Sequence, residues 1–327
     1  MLPTPRSNIR TVAIIGTGVI GASWTALLLA RGLKVLVTDP APDAEKKLDA
    51  YLKAQWPTLT QMGLSEGASL ANYMFVNSLD NHFHEIDFIQ EVQYSPCKNG
   101  PERVEFKSSL FAYLDENARP DVIIASSSSG IPSSEYALAC RNHPERVLVG
   151  HPFNPPHLIP LVEVVPHATT DRESVVPRAM EFYKSLGKNP VLIQKEIPGF
   201  IVNRLQAAIL MEAYSLVGRG VISAADLDTA MTSSLGLRWA LNGPFALNAL
   251  AGGGSFLHFM EHLGPAAKSW HDDMQKHTFE MTPQAIEDLN RVVEPTIAAT
   301  DLDILQKERD DVLLRLMDLK AKSSLLK

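Results

Sequence analysis

The chain has 327 residues, 45% hydrophobic and 20% charged, which suits one large or two ordinary globular domains with a real core. Its formal net charge of −7 argues against nucleic acid, an anionic membrane surface or a large polyanion as partner. Its two cysteines, Cys97 and Cys140, form neither a metal spacing nor a disulfide framework, no apolar run can span a bilayer, and the short polar start is no signal peptide, so a cytoplasmic location is expected.

The stretch RTVAIIGTGVIGASWTALLLARGLKVLVTDP predicts strand, glycine turn, helix and strand. Residues 12–15 lead into Gly16, Gly18 and Gly21, spaced G-x-G-x-x-G. Gly16 allows a tight turn, Gly18 lets the backbone approach a pyrophosphate, and Gly21 lets the helix pack against the strand. Val19 and Ile20 open that helix and count with the glycines as cofactor-binding positions, because a helix N-terminus favours phosphate charge. Asp39 ends the second strand. Its carboxylate can accept bonds from a free ribose 2′-OH and repels a 2′-phosphate, which favours NAD over NADP. The plain alternative for Asp39 is a turn residue before Pro40.

The alternation of helix and strand continues. Residues 41–63 read as helix, YMFVNSL as a short strand, and IDFIQEV as a strand with Glu91 at its end. VQYSPCKNG follows as a loop expected near the cofactor. ERVEFKSSLFAYLDENA is an amphipathic helix with Val104, Leu110, Phe111 and Leu114 on one side, and DVIIASSSSG is a strand running into serines. This order means a doubly wound, mainly parallel α/β sheet. Ligands of such sheets collect at the carboxyl ends of the strands, where Asp39, Glu91 and the serines fall.

GHPFNPPHLIPLVEVV is the second informative stretch. A strand ending at His151 passes through a bend with Pro152, Pro155, Pro156 and Pro160 into a strand that contains Glu163. An enzyme that moves a hydride from an alcohol to NAD needs a base for the hydroxyl proton. A histidine suits that task, and a carboxylate on its other nitrogen fixes the tautomer and favours the imidazolium. Taken alone, His151 could be a strand-end histidine bonded to backbone. Glu163, among Leu161, Val162, Val164 and Val165, is costly to bury without a partner. His143 and His157 read as loop residues.

From about residue 196 the pattern changes. A long, mostly apolar helix runs from Phe200 to Leu216, starting at Gly199 and stopped by Gly218 and Gly220. Ser223 signals the next helix start, and helical stretches continue to the amphipathic DLDILQKERDDVLLRLMDLK. The expected division is residues 1–195 for cofactor and 196–327 for an all-helical substrate and dimerisation domain. A helix so apolar is normally buried, in its domain or against a second copy, and a homodimer is expected.

GHPFNPPHLIPLVEVV, with ASSSSG before it and KEIPGFIVNRLQAAI after it, resembles the L-3-hydroxyacyl-CoA dehydrogenase superfamily. GLRWALNGPF, ISAADLDTAM and ERDDVLLRLMDLK are similar to its lambda-crystallin, L-gulonate 3-dehydrogenase and L-carnitine dehydrogenase branch. The resemblance implies an N-terminal Rossmann-type domain, a helical C-terminal domain, NAD as cofactor and no metal. It puts the base on His151, the orienting glutamate on Glu163, the serine that bonds the reacting oxygen on Ser129, with Ser128 as the alternative, and the substrate-orienting asparagine on Asn203.

Two departures bear on substrate. Pro160 stands where acyl-CoA enzymes often carry a lysine, and GLRWALNGP contains Arg238 where those enzymes usually lack an arginine. A guanidinium recognises a carboxylate with two parallel bonds, so Arg238 is expected to anchor a small free 3-hydroxy acid; the alternative is a structural ion pair. L-Gulonate leads, with L-carnitine next, since Trp239, Phe245, Phe256 and Phe259 could face a quaternary ammonium or simply be core. A 3-hydroxyacyl-CoA substrate and a non-catalytic, crystallin-like NAD-binding protein are the rival readings. The loop after Glu91, on the cofactor side, is a further departure, longer than in relatives.

Overall fold

The computed structural model describes residues 8–92 and 104–326. Residues 93–100 of VQYSPCKNG, Cys97 included, lie outside the described residues, and so does the expected role of that loop. The chain divides into two compact units after Asn203.

The first unit runs β1 (Thr11–Ile15), α1 (Val19–Ala30), β2 (Lys34–Thr38), α2 (Ala44–Met62), β3 (Tyr73–Phe75), β4 (Phe88–Glu91), α3 (Val104–Asn117), β5 (Ile123–Ser126), α4 (Ser134–Ala137), β6 (Val147–Pro152), β7 (Leu161–Pro166), α5 (Val175–Ser185) and β8 (Asn189–Leu192). The strands form one sheet in the order β3-β2-β1-β4-β5-β6-β7-β8. All neighbours are parallel except the β6–β7 pair. Period-two alternation divides the core: Val12 and Ile14 join the apolar cluster on one face, and Ala13 and Ile15 that on the other. Both faces are therefore covered, as a central parallel strand requires. β1, β4, β5 and β6 run the same way, so Gly16, Glu91, Ser126 and Pro152 arrive at one edge.

The second unit carries α6 (Val202–Gly218, which begins in the first unit), α7 (Ala224–Thr232), α8 (Leu235–Trp239), α9 (Pro244–Ala251), α10 (Phe256–Lys276), α11 (Pro283–Ala298) and α12 (Leu302–Lys322). Ser223 caps α7 by accepting from the Asp226 amide at 3.1 Å. α6 starts at Val202, later than the sequence suggests, because Gly199 and Phe200 take left-handed backbone, φ 73° and 49°. Within the single chain α6 buries only Ser215 and Val217. Among the described residues no helix is long and apolar enough to cross a membrane.

Candidate active site

The dinucleotide cradle is built by the turn between β1 and α1. Gly16 sits at φ 102°, which glycine adopts without strain. A Cβ on Gly21 would lie 1.9 Å from the Gly16 carbonyl oxygen, so only glycine lets the helix come this close to the turn. A Cβ on Gly18 would meet nothing within 4 Å, and no side chain caps the N-terminus of α1 at Val19. Open backbone at an uncapped helix N-terminus fits a pyrophosphate. Asp39 closes the cradle at the end of β2. Its Oδ2 accepts from the Thr17 amide and hydroxyl, both at 2.7 Å, and its Oδ1 from the Ala41 amide at 2.8 Å.

His151 and Glu163 face each other in the antiparallel β6–β7 ladder. Residues directly opposite in such a pair point to the same side of the sheet, so the register itself sets their distance. His151 Nδ1 lies 2.8 Å from Glu163 Oε2; the two residues are 4% and 0% exposed. An ionised carboxylate only accepts, so Nδ1 carries a proton, and in the neutral ring Nε2 is the nitrogen with the lone pair. The other carboxylate oxygen, Oε1, accepts from the backbone amides of Ile201 and Val202, each at 3.0 Å. Burial pushes the Glu163 carboxyl up, but the His151 bond and the Val202 and Ile201 amides outweigh it and hold the group below its ordinary value. Phe153 and Phe200 stand against the His151 ring, with centroids 4.6 and 5.7 Å away.

The serine run divides by burial. Ser128 is buried, and its hydroxyl donates to the Ile131 carbonyl and accepts from the Ile131 amide, both at 3.0 Å. Ser129 is exposed, and its carbonyl accepts from Asn203 Nδ2 at 2.6 Å. The structure thus joins Ser129 to Asn203 and leaves the Ser129 side chain at the surface. Glu91 reaches the carboxyl edge, but its Oε2 is bonded to Lys107 Nζ at 2.5 Å and to the Ser126 hydroxyl at 2.6 Å, all three buried. Arg238, in the last turn of α8, belongs to the helical unit; it is exposed, and among the described residues its guanidinium makes no ion pair.

Sequence reasoning missed Lys107 and Phe200. A lysine on the side of α3 that also carries Phe111 and Leu114 was the available signal for the first, since a buried lysine is costly without hydrogen-bond acceptors, of which a carboxylate is the strongest. For Phe200, left-handed backbone in a bulky residue has no signature beyond the preceding Pro-Gly. That strained turn aims two amides at Glu163.

Residues 11–197 match the 3-hydroxyacyl-CoA dehydrogenase NAD binding domain, and residues 199–293 the C-terminal domain of the same family. A protein of Gibberella moniliformis named 3-hydroxyacyl-CoA dehydrogenase is 52% identical, over 96% of this chain and 96% of its own. An L-carnitine dehydrogenase of Pseudomonas aeruginosa is 43% identical, over 95% of this chain and 94% of its own. Among solved structures, the NAD+-dependent dismutase 5-formyl-3-hydroxy-2-methylpyridine 4-carboxylic acid 5-dehydrogenase aligns with a TM-score of 0.78 at 29% identity, covering 95% of this chain and 98% of that one.

Proposed function

The chain belongs to the 3-hydroxyacyl-CoA dehydrogenase family, and from that premise we propose which alcohol it oxidises and how. It is an NAD-dependent oxidoreductase acting on a CH–OH group. The reaction is oxidation of the 3-hydroxyl of a small free hydroxy acid to the 3-keto acid, reversibly. The observation that carries the choice of base is the buried His151–Glu163 bond of 2.8 Å, which leaves Nε2 of the neutral ring to take a proton.

Bound NAD supplies the acceptor for the hydride that leaves carbon 3. His151 Nε2 takes the hydroxyl proton as the carbon–oxygen double bond forms. Glu163 keeps the ring in place and offsets the positive charge that it gains. The Ser129 hydroxyl and the Asn203 amide donate to the reacting oxygen. The open glycine turn and Asp39 support binding of NAD at the strand ends, with Glu91, held by Lys107, beside it.

L-Carnitine is the leading substrate. Sequence alone favours L-gulonate, but the similarity to an L-carnitine dehydrogenase moves carnitine ahead. Trp239, Phe245 and Phe256 are exposed in the helical unit, with Phe245 and Phe256 edge to face at 5.8 Å. Such rings can hold a quaternary ammonium, and Arg238 can take the carboxylate. The Gibberella relative supports a second reading, a CoA thioester substrate. Initial rates of NADH formation with L-carnitine, L-gulonate, 3-hydroxybutyrate and 3-hydroxybutyryl-CoA separate them. Arg238→Ala is expected to raise KM for the free acid by about 10- to 100-fold, the loss of a charged hydrogen-bonded pair. Turnover of the thioester alone would exclude the free-acid reading.

We also infer that two copies pair through the helical unit. That unit buries almost no side chain of its own, while Leu237, Leu250, Leu257 and Leu319 are each more than 60% exposed. So much unburied apolar surface marks an interface. Light scattering on the purified chain is expected to give the mass of a dimer; a monomer at micromolar concentration would contradict the pairing.

A further inference from the structure

Lys188 is a buried amine with no carboxylate beside it. α5 ends in a glycine turn: Gly187, at φ 82°, donates to the Lys184 carbonyl at 2.9 Å, and the Lys188 amide donates to the Tyr183 carbonyl at 3.1 Å. This Schellman arrangement fixes the backbone at Lys188 and turns its side chain inward. The residue is 5% exposed. Its Nζ donates to the Ile159 carbonyl at 2.8 Å and to the Pro156 carbonyl, and lies 5.3 Å from the centre of the Trp24 ring. Among the described residues no acidic group forms an ion pair with it. Burial, and after it the charge of Arg31, push its ammonium down to about 7.

Both carbonyls belong to residues 153–160, the bend that joins His151 to Glu163. The same bend is tied to the glycine-turn helix. The His157 amide donates to Ser23 Oγ on α1 at 2.9 Å, and Ser23 Oγ lies 2.8 Å from His157 Nδ1. The Asn189 amide adds a bond to the Pro160 carbonyl at 2.8 Å. So the segment next to the base is anchored on one side to the dinucleotide helix and on the other to Lys188. An apolar side chain of similar length would avoid the cost of an unpaired buried charge, but it could not hold two carbonyl oxygens at once.

We propose that Lys188 is a positioning residue for the base: its buried Nζ ties the bend after His151 to the turn between α5 and β8, opposite the anchor on α1, and so sets how His151 meets a hydroxyl at the cofactor. The proposal rests on the reading of His151 as base. Lys188 touches neither the base nor the reacting atoms, and it acts through the backbone of Pro156 and Ile159.

The test uses the full chain, with Lys188→Met and Lys188→Gln, and two independent readouts. Hydrogen exchange is expected to speed up at the amides of His157, Leu158 and Ile159 in Lys188→Met while β1 and α1 stay protected. In the same variant kcat for the hydroxy acid is expected to fall about 10- to 100-fold, with KM and NADH affinity nearly unchanged, as small misplacements near a reacting centre do. Lys188→Gln, which keeps a donor, should recover part of kcat. It takes over both readouts if the methionine variant does not fold. Unchanged exchange in the bend overturns the proposal, and so does a lower melting temperature with kcat intact. A wild-type chain silent towards every hydroxy acid counts against the functional reading only, and the exchange experiment still decides Lys188.

Discussion

Replacing His151 with alanine is expected to lower kcat by about 10²- to 10⁴-fold, the usual range for a lost general base, while NADH binds as before. The two halves of that expectation have separate causes. His151 ends β6, whereas the cradle for a dinucleotide is the turn between β1 and α1, closed by Asp39. No described contact of the His151 side chain reaches that turn; its partners are Glu163, Phe153 and Phe200. Steady-state rates combined with fluorescence titration of NADH check both halves. A variant that keeps more than about a tenth of the wild-type kcat would move the base elsewhere.

Glu163→Gln is the second large effect. The glutamine oxygen can still accept from the Ile201 and Val202 amides, so the turn keeps its anchor. What is lost is the carboxylate facing the imidazole: the amide nitrogen in its place donates to His151 Nδ1, which leaves the ring proton on Nε2, and kcat is expected to fall by about 10²-fold or more. Stability should change with pH as well. The Glu163 carboxyl is held below its ordinary value of 4.5 in the folded chain. Its stabilisation is therefore complete above that value and is lost as pH falls through the lower, folded value. Thermal unfolding between pH 6 and pH 3 should show a flatter acid limb in Glu163→Gln than in wild type. Parallel limbs would mean that Glu163 is not held ionised in the fold.

The residues that sequence made legible share one property: their chemistry depends on near neighbours in the chain. The glycine turn and Asp39 belong to one strand-helix-strand unit, whose pattern gives its geometry directly. The antiparallel His151–Glu163 pair is almost as local, two strands joined by one bend. Contacts made at a distance were harder to read. Glu91 meets Lys107 across residues 93–103, and nothing in either segment names the other. The later start of α6 depends on a strained Phe200, held in place because the amides that follow it satisfy a buried carboxylate. The mostly apolar α6 reads as a buried helix, yet Leu205 and Ile209 are exposed in the single chain. Hydropathy reports that a face is apolar, and it cannot report what covers it.

The most direct test of the central claim follows the hydride itself. L-Carnitine carrying deuterium on carbon 3 would be incubated with the chain and NAD, and the reduced nicotinamide examined by mass spectrometry. One deuterium is expected in each NADH formed, from the free acid and without CoA, and NADH formation by His151→Ala is expected to be at least about 10²-fold slower. Reduced nicotinamide without deuterium, or deuterium transfer only from a 3-hydroxyacyl-CoA, would contradict it.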